Sequence, residues 1–434
     1  MNLRHPSTIW VALVVTLALL ATGCSSTTRT EATSSESDTP DVAATDSGGG
    51  EVTESVDPSA VETEVADPVD DGATAAAPAA TGLPTLEDGQ EDGGGQSAQE
   101  RIDALMQGEG AIGKYPERVY VPNTLSDTVQ VIDPETYKII ATYETDAIPH
   151  HITPSWDLTE LYVLNTGGNT LLVIDPATGQ PTETIPVIDP YNLYFTPDGE
   201  NAIVVAERLR RLDIVDPDTW ELKTQVSIPW PGVDHMAFAR DGSWLVASTE
   251  FSGRVVKVDT ENWVVMGEPL ALGGEPIDVL RLPGTNTLLV ANQGIGFGGV
   301  HVINGDTMEE LDWIETGVGT HGLMLTHDRE RIFVSNRGRQ TGEGSITVLD
   351  TETLEILDTW VLPGGASPDM GQLNVEGDEF WIAGRYHHEV YVIDTADGSL
   401  RARIPTDLGP HGLTYFPSST SPHSLGHNGV YMTE

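Results

Sequence analysis

A repeat of short apolar strands separated by turns constrains this chain more than any other feature. The clearest copy reads Pro149-His-His-Ile-Thr, then Leu161-Tyr-Val-Leu-Asn, then Leu171-Leu-Val-Ile-Asp. Its middle strand recurs with starts at Val119, Leu161, Ile203, Trp244, Leu288, Ile332 and Phe380. The period is about 40 residues, which is the length of one four-stranded β-propeller blade, as in WD40-like repeats. The sequence therefore predicts an all-β propeller.

The two ends of the repeat region predict how the propeller closes. The first repeat, Arg118 to Tyr143, has a second, a third and a fourth strand but no recognisable first strand. The last repeat supplies a first strand, Pro410 to Phe416, and little after it. Pairing these two ends completes one blade and removes exposed sheet edges. We therefore expect a seven-bladed β-propeller closed by pairing N-terminal and C-terminal strands.

The strand sequences carry a resemblance to a known family. The segment Leu161-Tyr-Val-Leu-Asn165 resembles the motif that gives the YVTN-repeat β-propeller family its name. The resemblance covers Arg118 to Phe416 and implies the propeller fold. It leaves function open, because that family includes surface-layer proteins, periplasmic propellers and relatives of sugar lactonases.

The first residues predict export and attachment to a membrane. An apolar run from Ile9 to Ala21 is too short to span a bilayer and leads into Thr22-Gly23-Cys24, which favours a signal peptide over residues 1–23. Cys24 is the single cysteine, so it has no partner for an intramolecular disulfide. The segment resembles a bacterial lipobox, which implies lipidation of Cys24 and an extracytoplasmic protein anchored to the cell membrane. The alternative is an ordinary signal peptide with an incidental cysteine.

The charge balance excludes one class of partner. Acidic residues number 67 against 21 basic ones, a formal net charge of −46. Such a chain repels phosphate backbones, so we expect no nucleic-acid partner. Residues 24–114 form an acidic low-complexity segment, predicted to be a disordered tether with one short helix near 99–107. The predicted propeller occupies 115–416, and 417–434 form a C-terminal tail.

A polar residue ends the third strand of every repeat. These residues are Asp133, Asp175, Asp216, Asp259, Asn304, Asp350 and Asp394. Several are followed by Pro, as in Asp175-Pro-Ala-Thr-Gly, and a type I turn prefers Asp at its first position and Pro at its second. We therefore interpret this series as turn residues and not as a carboxylate site.

The start of each first strand carries a different series. The two positions after the opening Pro or its equivalent read His150-His151, Tyr191-Asn192, Asp234-His235, Ile277-Asp278, His321-Gly322, Asp369-Met370 and His411-Gly412. First strands line the central channel of a propeller, so these residues should converge at one of its mouths.

Converging imidazoles suit a transition metal such as Zn, Cu or Fe. The candidate ligands are His150, His235, His321 and His411, with His151, Asp278 and Asp369 as alternates or supporting groups behind the ligands. The alternative is that these histidines only hydrogen-bond neighbouring blades.

Loops after the second strands should reach the same mouth. They carry Arg337 and Arg385 at equivalent positions on adjacent blades, followed in one blade by His387 and His388. These four are candidate ligand-binding residues, since paired guanidinium groups hold anions. The alternative is that the arginines pair with the abundant carboxylates.

Three functions remain open from the sequence. The first is a binding module that presents the histidine mouth to a metal, a small molecule or an extracellular protein. The second is a propeller enzyme, either a metal-dependent oxidase or a lactonase-like hydrolase. The third is a structural cell-envelope protein. The sequence contains no P-loop, no Gly-x-Gly-x-x-Gly that opens a predicted helix and no Gly-x-Ser-x-Gly motif, and no catalytic residue is assigned.

Overall fold

A computed structural model describes residues 113–294, 298–338 and 341–418. The predicted signal peptide, Cys24, the tether with its short helix, and the tail from residue 419 lie outside these residues. In the part of the chain that the structure describes, no helix is long and apolar enough to cross a bilayer.

The strands form seven antiparallel sheets, which we number as blades in chain order and read from the first strand outward. Blade 1 contains Thr414–Phe416, Arg118–Asn123, Thr128–Asp133 and Lys138–Glu144. Blade 2 contains Pro149–Pro154, Leu161–Asn165, Thr170–Asp175 and Gln180–Pro186. Blade 3 contains Asn192–Phe195, Ala202–Ala206, Arg211–Val215 and Leu222–Ser227.

Blade 4 has a divided outer edge. It contains Val233–Phe238, Trp244–Thr249, Arg254–Asp259, Val264–Val265 and Leu270–Ala271, and the last two both pair with the third strand. A short 3-10 helix, Glu250–Ser252, follows its second strand. Blade 5 contains Pro276–Arg281, Thr287–Asn292, Gly299–Asn304 and Glu309–Glu315. Blade 6 contains Thr320–Leu325, Arg331–Asn336, Ser345–Asp350 and Ile356–Val361. Blade 7 contains Pro368–Leu373, Glu379–Gly384, Glu389–Asp394 and Leu400–Pro405.

Blade 1 closes the ring as the sequence predicts. Its first strand comes from the end of the propeller and pairs antiparallel with Arg118–Asn123, with Val119 opposite Tyr415. The Thr414 hydroxyl of blade 1 also donates a hydrogen bond to the Ile152 carbonyl of the adjacent blade 2, 262 residues away in sequence. The predicted seven-bladed fold is therefore confirmed.

The core lies between adjacent blades. Successive side chains of a strand point to opposite faces, so Tyr120 packs with blade 2 residues, while Val119 and Val121 pack with blade 7 residues such as Trp381. Second and third strands are buried on both faces, which explains their nearly continuous apolar sequences. Fourth strands such as Lys138–Glu144 alternate between exposed and half-buried residues at the outer rim.

The third-strand aspartates are turn residues, as the sequence predicts. Asp175 Oδ1 accepts a hydrogen bond from the Ala177 N–H (2.8 Å), and its Oδ2 accepts one from the Thr178 hydroxyl (2.9 Å). Equivalent bonds to backbone N–H groups are made by Asp133, Asp216, Asp259, Asn304, Asp350 and Asp394. Each side chain therefore stabilises its own turn.

Candidate functional site at the channel mouth

A β-bulge near the start of the first strand places the candidate residues. In blade 2 the pairing register shifts between Pro149 and Ile152, so His150 and His151 form the bulge. The same shift occurs at the equivalent place in blades 4, 5, 6 and 7. A bulge bends its strand and redirects side chains, and bulges are common beside functional sites. The repeat sequence alone gave no signal for them.

The predicted histidines come together. The ring of His411 lies with its centroid 4.1 Å from that of His150, 4.8 Å from that of His151 and 5.8 Å from that of His321. The centroids of His151 and His235 are 5.2 Å apart. All five side chains are buried. Blades 1, 2, 4 and 6 therefore contribute imidazoles to one contiguous group.

Burial favours the neutral form of three of these imidazoles. It lowers the pKa of His150 well below the ordinary value of 6.5, and the neighbouring His411, His151 and Arg385 lower it further. Burial also lowers the pKa of His321 and of His411, with Arg337 and Arg385 respectively as the next causes. A neutral imidazole has a free lone pair, which a metal ligand requires.

Two overlapping groups of donor atoms could hold a metal ion. His150, His151 and His411 form one group, and His321, Asp369 and His411 form the other. Within each group, one donor atom from each residue lies within 4.8 Å of the others. Both groups use His411, so the surroundings of that residue decide between them.

The second group already contains a cation. Arg337 donates from Nε to Asp369 Oδ1 (2.6 Å) and from Nη2 to His321 Nε2 (2.7 Å). The side chain of Asp369 has no exposed area, and its ion pair with Arg337 supplies the charge that a buried carboxylate needs. A metal bound to His321 and Asp369 would have to displace this guanidinium. The first group is therefore the better metal site.

Asp369 instead orients His411. Burial raises the pKa of Asp369, but its neighbours, Arg337 first and then His321 and Arg385, outweigh burial and hold the pKa below its usual range. The ionised carboxylate accepts a hydrogen bond at Oδ2 from His411 Nδ1. The lone pair of His411 is then on Nε2, which has no hydrogen-bond partner among the described residues. A carboxylate behind an imidazole is a common support for a metal ligand.

The predicted ligand His235 and the predicted alternate Asp278 lie in hydrogen-bonded surroundings. His235 Nδ1 is 3.0 Å from both Asn192 Nδ2 and the Tyr194 hydroxyl, and its Nε2 is 3.4 Å from Asp234. Asp278 accepts bonds from its neighbour's backbone N–H and, at 2.8 Å, from the Leu323 N–H of blade 6. Neither belongs to a donor group of three or more among the described residues.

The loop after the second strand of blade 7 holds three predicted ligand-binding residues. Arg385 Nη1 is 4.0 Å from Asp369 Oδ2. His387 Nδ1 is 2.9 Å from the Ser367 hydroxyl oxygen, and His388 Nδ1 accepts a bond from the Gly409 N–H (3.0 Å). The two histidines thus join neighbouring loops, and Arg385 lies beside the buried Asp369.

A group of acidic side chains, Asp234, Glu207 and Glu250, lies near the histidines and was not predicted as part of the site. The Tyr191 ring centroid is 4.6 Å from that of His150. Burial, together with Glu250 and Glu207, raises the pKa of Asp234 well above its usual range. Burial and Glu250 also raise the pKa of Glu207 to about 7. Tyr191 and Asp234 occupy the same aligned positions as the histidines, which was the signal that could have found them.

The family can be assigned by comparison. A family model described as "YNCE-like beta-propeller" matches residues 110–419. The chain belongs to the YNCE-like β-propeller family. The YVTN resemblance and lipidation at Cys24 stay predictions. No curated protein sequence matches this YNCE-like chain.

Solved structures share the fold of this YNCE-like propeller at low identity. The periplasmic gluconolactonase PpgL of Pseudomonas aeruginosa is 16% identical, with a TM-score of 0.56, over 69% of this chain and 98% of that one. Hydrazine synthase of Kuenenia stuttgartiensis is 19% identical, with a TM-score of 0.52, over 62% and 88%. Dihydro-heme d1 dehydrogenase NirN in complex with DHE is 14% identical, with a TM-score of 0.55, over 69% and 75%. At these identities the likeness shows the fold alone.

Proposed function

We propose that this YNCE-like propeller is a binding module for a divalent transition metal (Zn, Cu or Fe), with His150, His151 and His411 as ligands. One observation carries the proposal. The three imidazoles are buried and come from blade 2 and from the adjacent blade 1, which closes the ring. Their donor atoms lie within 4.8 Å of one another. Nitrogens on a tetrahedral zinc ion lie about 3.4 Å apart, so small side-chain rotations would complete the site.

The chemistry of the donors supports this choice of metal. Three neutral nitrogens without thiolate or carboxylate ligands suit zinc, copper or iron and disfavour calcium or magnesium. His150 Nδ1 and His411 Nε2 are buried, and no group in the described part of the chain hydrogen-bonds either atom. A buried polar atom without a partner costs free energy, and a bound metal would remove that cost.

Metal analysis of the purified full-length chain tests the proposal. We expect one equivalent of zinc or copper to bind, and His150→Ala or His411→Ala to weaken binding by about 100-fold or more, since each removes one of three ligands. His387→Ala and His388→Ala are matched controls on the same face and should stay within threefold of the wild type. Equal losses in all four variants, or no metal in the wild type, would overturn the proposal.

The proposed cellular location rests on Cys24. Lipidation there would hold the propeller on the outer side of the cell membrane, where metals and other ligands from outside the cell are accessible. The test is fractionation of expressing cells: the wild-type chain should sediment with membranes and Cys24→Ser should be released. A Cys24→Ser chain that remains in the membrane fraction would contradict the anchor.

One observation favours an enzymatic role for the same site. Three protein ligands leave a position open for water or substrate, as in catalytic zinc centres. A gluconolactonase and two other named enzymes or enzyme components share the fold. Lactone hydrolysis and oxidase assays of the metal-loaded protein separate this role from binding alone. Activity that His411→Ala abolishes would support an enzyme, and its absence on both substrate classes would favour the binding module.

A further inference from the structure

We infer that the proposed metal centre binds a small oxyanion, a carboxylate or a phosphate, which bridges the metal and the guanidinium of Arg385. The inference rests on the proposed function and adds the chemical class of the second ligand.

One donor atom of the Arg385 guanidinium, Nη1, has no acceptor among the described residues. This atom is buried, and nothing in residues 113–294, 298–338 or 341–418 accepts a hydrogen bond from it. The nearest carboxylate oxygen for which a contact is found is Asp369 Oδ2, at 4.0 Å, beyond hydrogen-bond distance. A buried charged donor without an acceptor costs free energy. A ligand oxygen at this position would remove the cost.

The neighbouring Arg337 shows the contrast. Its guanidinium donates to Asp369 Oδ1, to Gln293 Oε1 (2.7 Å) and to His321 Nε2. Asp369 in turn also accepts from His411. The Asp369 carboxylate therefore lies near two guanidinium groups, and of these Arg337 donates a hydrogen bond to it. Arg385 has only a long ion contact with this carboxylate, 4.0 Å from Nη1 to Oδ2, and its Nη1 makes no hydrogen bond there.

Arg385 also lies beside the proposed metal centre. Its Nη1 is 4.0 Å from Asp369 Oδ2, the oxygen that accepts a hydrogen bond from the proposed ligand His411. The side chain of Arg385 is 24% exposed, against 6% for Arg337 and 2% for His411. An anion arriving from solvent would therefore meet Arg385 first.

The chemistry of guanidinium selects the ligand class. Its parallel N–H donors match the spacing of two oxygens on a carboxylate or a phosphate. One oxygen could bind the metal while another accepts from Arg385, which a single-atom anion such as chloride cannot do. Because the whole chain has a net charge of −46, attraction of an anion must come from this local arrangement and not from the overall field.

The test uses cobalt as a spectroscopic substitute for the native metal in the full-length protein. Visible absorption is followed while acetate, inorganic phosphate or, as a control, chloride is added. We expect acetate or phosphate to shift the spectrum, and Arg385→Gln to weaken that binding at least tenfold with cobalt affinity within threefold of the wild type. Arg385→Lys keeps the positive charge but loses the paired N–H donors of the guanidinium, so its affinity for acetate or phosphate should lie between those of the wild type and Arg385→Gln. Arg401→Gln is the matched control, because Arg401 lies in the same blade and pairs with Glu379 and Asp394.

The outcomes separate this inference from the proposed function. Unchanged oxyanion affinity in Arg385→Gln, or no response of the cobalt spectrum to acetate or phosphate, would overturn the inference while leaving the metal site intact. If the wild type takes up no cobalt, the proposed function fails. Calorimetry of acetate and phosphate with the metal-free protein then decides: binding that depends on Arg385 retains the oxyanion site, and no binding overturns it.

Discussion

Each end of the blades carries a repeated series of polar side chains, and the two series differ in whether their hydrogen bonds are satisfied. At the turn end, each third-strand aspartate is used by its own turn, as when Asp175 accepts bonds from Ala177 and Thr178. At the channel mouth, His150 and His411 each keep a buried ring nitrogen that no described residue hydrogen-bonds. Repetition of a polar residue therefore does not by itself indicate a site. The useful signal is a repeated polar group whose hydrogen bonds the fold leaves incomplete.

The largest expected effect comes from breaking the buried ion pair at the mouth. Arg337→Met would leave the Asp369 carboxylate buried without its main partner, at a cost of about 3–5 kcal/mol in the free energy of unfolding. Arg401→Met removes an exposed ion-pair network at the turn end and should cost about 1 kcal/mol or less. Urea unfolding of both variants at pH 7.5 makes the measurement. Equal losses would contradict the difference between the two ends.

The two ends should also respond to acid in different pH ranges. The pKa values of His150, His321 and His411 are depressed in the folded state, so below about pH 6.5 the unfolded chain takes up protons that the folded mouth does not. The free energy of unfolding should then decrease as pH falls, by up to about 1.4 kcal/mol per pH unit for each imidazole. Hydrogen bonds from Arg401 and the Ala396 N–H lower the pKa of Asp394, so its contribution is lost only below about pH 3.8.

Unfolding free energies of the metal-free protein measured from pH 7.5 to pH 3.5 check this prediction. The double variant His150→Gln/His411→Gln should flatten the profile between pH 6.5 and pH 4.5. Asp394→Asn should differ from the wild type only in slope near pH 4 and below. A double variant that keeps the wild-type slope between pH 6.5 and pH 4.5 would show that these imidazoles titrate normally.

Carboxyl groups at the mouth and at the turn end should behave oppositely. Glu207 has a pKa raised to about 7, so the folded protein loses stability between about pH 4.5 and pH 7, where the unfolded glutamate is already ionised. Glu207→Gln removes that loss and should raise the free energy of unfolding at pH 8 by about 1–2 kcal/mol, with little change at pH 4. Denaturation at both pH values provides the comparison, and a destabilised variant at pH 8 would contradict it.

The smallest expected effect is the loss of one turn residue. Asp216→Ala removes the hydrogen bonds to the backbone of Asp218 and Thr219 and should cost about 1 kcal/mol. Metal affinity should not change, because the turn lies at the other end of the blade. Calorimetric metal titration of this variant, compared with His150→Ala, checks the separation. Weaker metal binding by Asp216→Ala would couple the two ends and weaken the comparison.

The sequence predicted the architecture because each strand repeats with its turn. It also predicted that His150, His151, His235, His321 and His411 converge, since equivalent positions on different blades share an axis. It could not choose between the two donor groups around His411. That choice depends on Arg337 reaching Asp369 from a neighbouring blade, and on the bulges that redirect the first strands of blades 2, 4, 5, 6 and 7. Such contacts are set by rotamers and blade spacing, which a single sequence does not encode locally.

The closing strand has a consequence for when the site can exist. His411 belongs to the segment that pairs with Arg118–Asn123 only after every other blade has been made. A ribosome working from the amino end produces His150 and His151 early, yet the third proposed ligand emerges only with the final blade. A truncated or half-translated chain would then be unable to bind a metal through all three histidines. A bound ion would also link the C-terminal strand of blade 1 to blade 2.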